Sequence, residues 1–294
     1  MLPRAYGSAS IFLDMPCANL HNASLAKRII RQNVFEWLSH AVSLIATGFV
    51  TGVIVGLTGV GGGSLMTPAL VLFFGIAPAV AVGTDLLFAA ATKSVGTAVH
   101  REQGNIDWSI VAHLSGGSVP AALLTVGALH WFKPDVAALA AAIKFALGLA
   151  LLLTAAVILL RGRLARLAQR FQFNGSRQAR LTVLTGLALG VLVTLSSVGA
   201  GAIGVAALML LYPERPAAQI AGTDVAHAVP LTLIAGLGHA GLGHVDYTLL
   251  AALLIGSIPG IAIGSMLARR VPERSLKGAL AGMLTLAGAK LISL

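Results

Sequence analysis

The sequence predicts an all-α polytopic membrane protein made of two inverted repeats, each of about five apolar helical segments, with short or broken helices after glycine-rich motifs. Three observations carry this expectation: the composition, the lengths of the apolar runs, and a set of motifs that recurs at one offset. Of the 294 residues, 57% are hydrophobic and 10% charged, against about 25% charged in a soluble domain. The mean hydropathy is +0.89. There are too few charges to cover a water-facing surface. A bilayer core of ~30 Å takes about 20 apolar residues per crossing helix, and the 34 glycines suit helices that touch closely in lipid.

A net charge of +10 would suit a nucleic-acid partner, but Lys and Arg gather in the loops between apolar segments, as they do on the cytoplasmic side of membrane proteins. No nucleic acid is expected. The single cysteine, Cys17, lies in a polar N-terminal tail, so no intramolecular disulfide forms and the core holds no thiol chemistry. Asp14 and Pro16 interrupt the apolar run that a signal peptide needs. Residues 24–40 carry Leu25, Ile29, Ile30, Phe35 and Leu38 near helical spacing with Lys27, Arg28 and Arg31 among them. They read either as an amphipathic helix on the membrane surface or as a frayed tail.

The second half of the chain repeats the first at a nearly constant offset. Val60-Gly61-Gly62-Gly63 matches Val198-Gly199-Ala200-Gly201, and Gly83-Thr84-Asp85 matches Gly222-Thr223-Asp224. His100 then falls on His239, Ile106-Asp107-Trp108 on Val245-Asp246-Tyr247, and Gly117-Ser118-Val119-Pro120 on Gly256-Ser257-Ile258-Pro259. Apolar composition alone does not place separated acids and prolines in register.

Each unit holds five apolar segments, near 42–58, 64–75, 77–99, 107–130 and 135–160, then near 181–197, 202–213, 216–238, 245–268 and 273–293. The second of each set is short and follows a glycine-rich break, so the first two form either two crossings or a re-entrant pair. Both choices leave an odd number of crossings per unit, which turns the second unit upside down. Arg161, Arg163, Arg166, Arg170, Arg177 and Arg180 lie between the units and place that loop in the cytoplasm. Arg101, Arg215 and the Arg269, Arg270, Arg274, Lys277 group follow it inside, and the loop at Gly243, free of Lys and Arg, lies opposite. Lys133 and the cluster at Lys27 depart from this pattern. The expected organisation is a tail over 1–41, a first transmembrane repeat over 42–160, a basic cytoplasmic linker over 161–180 and a second repeat over 181–294.

The chemistry is expected at the breaks. Gly61, Gly62, Gly63 and Ser64 precede a short helix, and Ser197, Gly199 and Gly201 recur in the second unit. A helix start presents free N–H groups and about half a positive charge, which suits an anion; the glycines equally suit close helix contact. Thr84 and Thr223 beside the aspartates join the expected anion contacts. Asp85 and Asp224 lie deep in apolar segments, where an ionised carboxylate costs ~2.5–3.5 kcal/mol or more, so a partner, a proton or a water-filled cavity is required. His227 follows Asp224 on the same helical face, a candidate proton-holding pair, with Phe88 as its counterpart in the first unit. Lys93 and Lys144 are the cations of the first unit's core. Lys93 is the candidate anion contact and Lys144 is able to reach an interface. Asp107 and Asp246, near His100, His239 and His244, suit helix capping better than a metal site. Pro120 and Pro259 fall inside helices, where they kink.

Taken together, Gly59-Val60-Gly61-Gly62-Gly63-Ser64 with Pro68, Gly83-Thr84-Asp85, the stretch from His100 to Trp108 and the second copy of this pattern resemble the sulfite exporter TauE/SafE family of membrane anion permeases. The resemblance covers about residues 42–290. It implies transport of a sulfur-containing anion such as sulfite, sulfoacetate, thiosulfate or a related sulfonate. Ser196-Ser197-Val198-Gly199-Ala200-Gly201 departs from the fuller first motif, which breaks the symmetry of the paired cradle.

The expected function is secondary transport of such an anion across the cell membrane, coupled to protons through Asp85, Asp224 and His227, with no cofactor and no metal. An anion channel is the alternative. An intramembrane enzyme would need a nucleophile and base in reach of each other, and Ser64, Ser94, Ser196 and Ser197 have no such arrangement with His113 or His227. A passive scaffold has no use for paired intramembrane acids. Oligomeric state and the direction of transport are left open.

Overall fold

The computed structural model describes residues 42–54, 56–57, 63–168, 175–267 and 273–293. The tail, the amphipathic stretch 24–40, Gly61 and Gly62 lie outside the described residues. The chain divides at Ser43 into a short N-terminal unit and a body from Leu44 onward, and the body carries the features below.

The described helices follow the apolar segments closely. They are α1 (Val42–Ile54), α2 (Gly63–Leu72), α3 (Pro78–Glu102), α4 (Trp108–Phe132), α5 (Val136–Ala168), α6 (Gly175–Ser196), α7 (Ala202–Leu211), α8 (Ala217–Gly241), α9 (Tyr247–Leu267) and α10 (Glu273–Ser293). Among the described residues six are long and apolar enough to cross a membrane: α3, α4, α5, α6, α8 and α9. Ten-residue α2 and α7 each reach only ~15 Å, half a bilayer core.

Local chemistry sets the ends. Pro78 opens α3 at its first turn, where its missing N–H costs nothing. Asp107 accepts from Ser109 and Ile110 N–H to cap α4, and Asp246 accepts from Thr248 and Leu249 N–H at the start of α9, as the capping reading anticipates. The stretch between the units differs from expectation: α5 runs on to Ala168 and α6 begins at Gly175. Arg161, Arg163, Arg166, Arg177 and Arg180 therefore ride on helix extensions. A 33-residue helix is ~50 Å long, longer than a bilayer core of ~30 Å, so α5 has the length to carry its arginines past one.

The helix contacts come in pairs. α4 crosses α6, and α9 crosses α1; in both, small residues let backbones touch, with Gly117 against Val183 and Gly186 against Leu114 in one, and Gly256 against Ile45 and Gly52 against Ser257 in the other. α3 lies along α8, and α5 along α10. α5 meets α7 as α10 meets α2. Apolar clusters fill the spaces between them, one centred on Leu147, Leu151 and Leu284 and another on Met66, Leu70, Phe88 and Leu253. Leu124, Leu153, Leu237 and Ile258 point outward, as a lipid-facing surface requires.

Candidate functional site

The break between α6 and α7 is built from backbone that only small residues tolerate. Ser197 has φ +58, Gly199 φ +127 and Gly201 φ +141, conformations that favour glycine. Ser196 Oγ donates to the Leu192 and Val198 carbonyls and accepts from Val198 N–H, which pins the turn. Gly201 then starts α7 without any side-chain cap. A helix start so left has N–H groups to offer. In the first unit Gly63 begins α2, the corresponding place.

Gly83-Thr84-Asp85 and Gly222-Thr223-Asp224 each face two ways. A Cβ on Gly83 would collide with the His244 carbonyl oxygen, and one on Gly222 with that of Asn105. Next to them, Asp246 N–H donates to Thr84 Oγ1 at 3.1 Å and Asp107 N–H donates to Thr223 Oγ1 at 2.9 Å. Each glycine-threonine pair thus receives the loop of the other unit, and both hydroxyls are engaged there. The aspartates turn inward. Asp85 Oδ2 accepts from the Thr67 hydroxyl of α2, with Ser197 alongside; Asp224 Oδ1 lies against Gly204 of α7. Asp85 Oδ1 and both Asp224 oxygens have no hydrogen-bond partner among the described residues.

Lys93 lies between these acids. Its ammonium donates to the Ala200 carbonyl in the α6–α7 break at 2.7 Å, and it is within electrostatic reach of Asp224 first and Asp85 second. The residue is buried, whereas Lys144 is only half-buried. On a straight α3, eight residues separate Asp85 from Lys93 by ~12 Å; α8 runs antiparallel beside it and brings Asp224 nearer.

His227 does not pair with Asp224. Its Nε2 shares a 2.8 Å hydrogen bond with Ser118 Oγ of α4, and Nδ1 has no partner. A common helical face brings two residues near each other, but here the hydroxyl across the helix boundary captures the ring. His239 Nε2 donates to the Thr194 carbonyl and its ring stands 5.6 Å from that of His244. Burial holds the His244 imidazole below the usual histidine range. At one end of the bundle Arg215 pairs with Asp107 at 3.0 Å, beside a cavity of about 270 Å³ that Gln178 and Tyr212 also line. Sequence reasoning missed Thr67, Ser118 and the Ala200 carbonyl. Ser118 carried a signal, since it stands in a repeated motif, and Thr67 had none.

Among the described residues, six bilayer-length apolar helices, two half-length helices, an unwound stretch before α7 and charged side chains sealed between helices define a multi-pass membrane protein of the transporter class. The chain belongs to the sulfite exporter TauE/SafE family, which it matches over residues 44–291. It is 43% identical over 255 residues to "Probable membrane transporter protein YjnA" of Bacillus subtilis (strain 168), covering 86% of this chain and 100% of the relative. A second protein of that strain, "Probable membrane transporter protein YdhB", is 29% identical across 81% of this chain and 94% of its own length. A "Probable membrane transporter protein" of Xylella fastidiosa (strain 9a5c) is 26% identical across 77% and 84%. No solved structure matches the chain. The protein is a membrane transporter and not an enzyme, in keeping with a place in the cell membrane.

Proposed function

We propose that this protein is a proton-coupled secondary transporter of a small sulfur-containing anion of the sulfite, thiosulfate, sulfoacetate or sulfonate kind, held where two inverted units meet. The observation that carries the reading is Lys93: a buried cation, hydrogen-bonded to a main-chain oxygen in a helix break and facing two buried carboxyl groups. A lysine whose partner is a neutral carbonyl is free to exchange it for an anion, because the anion brings the charge that the carbonyl lacks. The uncapped start of α7 at Gly201, with Gly199 and Ser197 before it, supplies N–H groups to the same anion, and Gly61, Gly62, Gly63 and Ser64 have that part in the first unit. Thr84 and Thr223 act by fixing the loops behind the site.

The groups able to carry the coupling proton are Asp85, Asp224 and His227. With Lys93 charged, two ionised aspartates already leave an excess negative charge in the core, and an arriving anion adds to it. Charge in so dry a place is costly, so a proton travelling with the anion lowers the barrier. The paired contacts of α4 with α6 and α9 with α1 support the inverted relation of the units, which puts substrate near the midplane.

Equilibrium binding to the purified protein in detergent tests the substrate class. Sulfite, thiosulfate and sulfoacetate are expected to bind in competition with one another and in preference to choline or glucose. A protein that binds none of the three while remaining folded contradicts the reading.

A further inference from the structure

The two core aspartates hold equivalent places in the two units, yet their surroundings differ. Thr67 donates to Asp85 and the Ser197 hydroxyl lies beside it. Asp224 has no donor on either oxygen among the described residues, and α7 meets it with Gly204, which has no side chain to offer. The sequence carries the same difference. At offsets of 138 and 139 Thr67 falls on Val205 and Ala206, and Ser197 falls on Gly59 and Thr58. Thr67, the hydroxyl that donates to Asp85, therefore has no hydroxyl counterpart beside Asp224. In its place the second unit has His227, where the first has Phe88. Ser118 of α4 holds that ring by Nε2 and leaves Nδ1 unpartnered. Ser257, the counterpart of Ser118, turns to the Leu254 carbonyl of its own helix instead.

We propose that the two aspartates have different jobs: Asp224 takes up and releases the coupling proton, His227 in the grip of Ser118 is the neighbouring group that receives it, and Asp85 is a fixed anchor tying α3 to α2. The inference rests on the proton-coupled reading above and assigns its proton to one unit. A carboxyl group without donors gains the most from a proton, because its ionised form has no hydrogen bond to offset desolvation. On release the Asp224 O–H bond breaks, its electron pair stays on the carboxylate, and the proton passes to a free imidazole nitrogen of His227 and then to water. The ionisable groups of α8 and of the helix along it are Lys93, Asp85 and His100 of α3, with Arg101 and Glu102 at its end, and His227 and His239 of α8 itself; the charge that reaches Asp224 is that of Lys93. His113 and His130 of α4 and Arg177 and Arg180 of α6 stand towards the helix ends, and α7 brings none. Only Lys93 is both buried and cationic among them. The role of Ser118 is to position the ring.

The full chain in vesicles, with isotopically labelled sulfite as probe, gives two readouts: exchange of internal for external sulfite at equal pH, and net uptake driven by a pH gradient. Exchange needs no proton release, so Asp224→Asn is expected to retain it while gradient-driven uptake falls by about a hundredfold, the scale of a lost acid–base group. Asp85→Asn is expected to lower both readouts together, through a loosened α2. Ser118→Ala is expected to displace the pH profile of driven uptake with exchange retained, which a purely structural serine would not do. Should Asp224→Asn fail to assemble, Asp224→Glu takes its place: a displaced pH profile with retained exchange supports the assignment, and a wild-type profile overturns it. The assignment also falls if Asp85→Asn is the variant that separates the two readouts, or if Asp224→Asn still concentrates sulfite. Wild-type exchange that no pH gradient drives would instead overturn the coupled reading itself, and absence of both readouts would overturn sulfite transport.

Discussion

Lys93 places a charge where the bilayer interior penalises it by ~2.5–3.5 kcal/mol or more, and its ammonium donates to the Ala200 carbonyl. Replacing it with methionine keeps most of the volume and removes the charge. A hydrogen bond to a charged group is worth ~1.5–3 kcal/mol, so Lys93→Met is expected to weaken sulfite binding by about ten- to a hundredfold in calorimetry. Unchanged affinity would take Lys93 out of the site. The lysine was legible in the sequence because it interrupts an apolar run, whereas its partner was not: Ala200 lies 107 residues away and contributes a main-chain oxygen that no side-chain pattern encodes. His227 shows the same limit, since helical spacing places it near Asp224 but says nothing of Ser118 on another helix. His244 lies outside the spans and is held below the usual histidine range by burial. Its folded value therefore lies below the unfolded one of ~6.5, so the stability it contributes is present above that pH and is lost as pH falls towards the folded value. Thermal unfolding in detergent is expected to come at lower temperature on acidification, with a shallower pH slope in His244→Gln. Equal slopes would mean that His244 does not carry this dependence.

The helix starts and loops are where single residues control whole elements. Gly201 holds φ +141 at the start of α7, a conformation that costs a residue with a side chain ~1–3 kcal/mol. Gly201→Val is expected to lower anion affinity sharply while the protein stays monodisperse, because the branched side chain blocks approach to the N–H groups behind it. Normal binding by a well-folded variant would move the site elsewhere. Thr223→Val leaves the Asp107 N–H without its acceptor, a loss of ~1–3 kcal/mol that should register as lower thermal stability and only a small change in affinity. A large loss of affinity at unchanged stability would instead put that hydroxyl in contact with the anion. Helix spans were legible almost residue by residue, since apolar runs bounded by Pro78, Asp107 and Asp246 have few alternatives. The stretch 161–180 was not, because arginines that mark the cytoplasmic side are also good helix formers, and α5 simply continues through them. The partners of Gly83 and Gly222 were equally hidden, since a glycine announces a close approach without naming what approaches.

For the molecule as a whole the repeat was the strongest signal in the sequence, and α4 crosses α6 as α9 crosses α1. Inversion makes a definite claim about sidedness. Gln103 and Leu242 are related by the offset of 139 and end α3 and α8 respectively. In a chain whose Cys17 has been replaced by serine, Gln103→Cys is expected to react with an impermeant maleimide only from the cytoplasmic side, and Leu242→Cys only from the opposite side. Labelling of both from one side would mean parallel units. What overall symmetry hides is the inequality of the two halves: Lys93 against Thr232, His227 against Phe88, Thr67 against Val205 or Ala206. On the proposed function these differences bear on transport itself. The most direct measurement is the accumulation of labelled sulfite in vesicles containing the purified protein, with and without an imposed pH gradient. The account predicts internal sulfite rising above the external concentration when the gradient is present, and collapsing to it when a protonophore removes the gradient. Uptake that only equilibrates, whatever the gradient, would contradict the account and make the protein an anion channel.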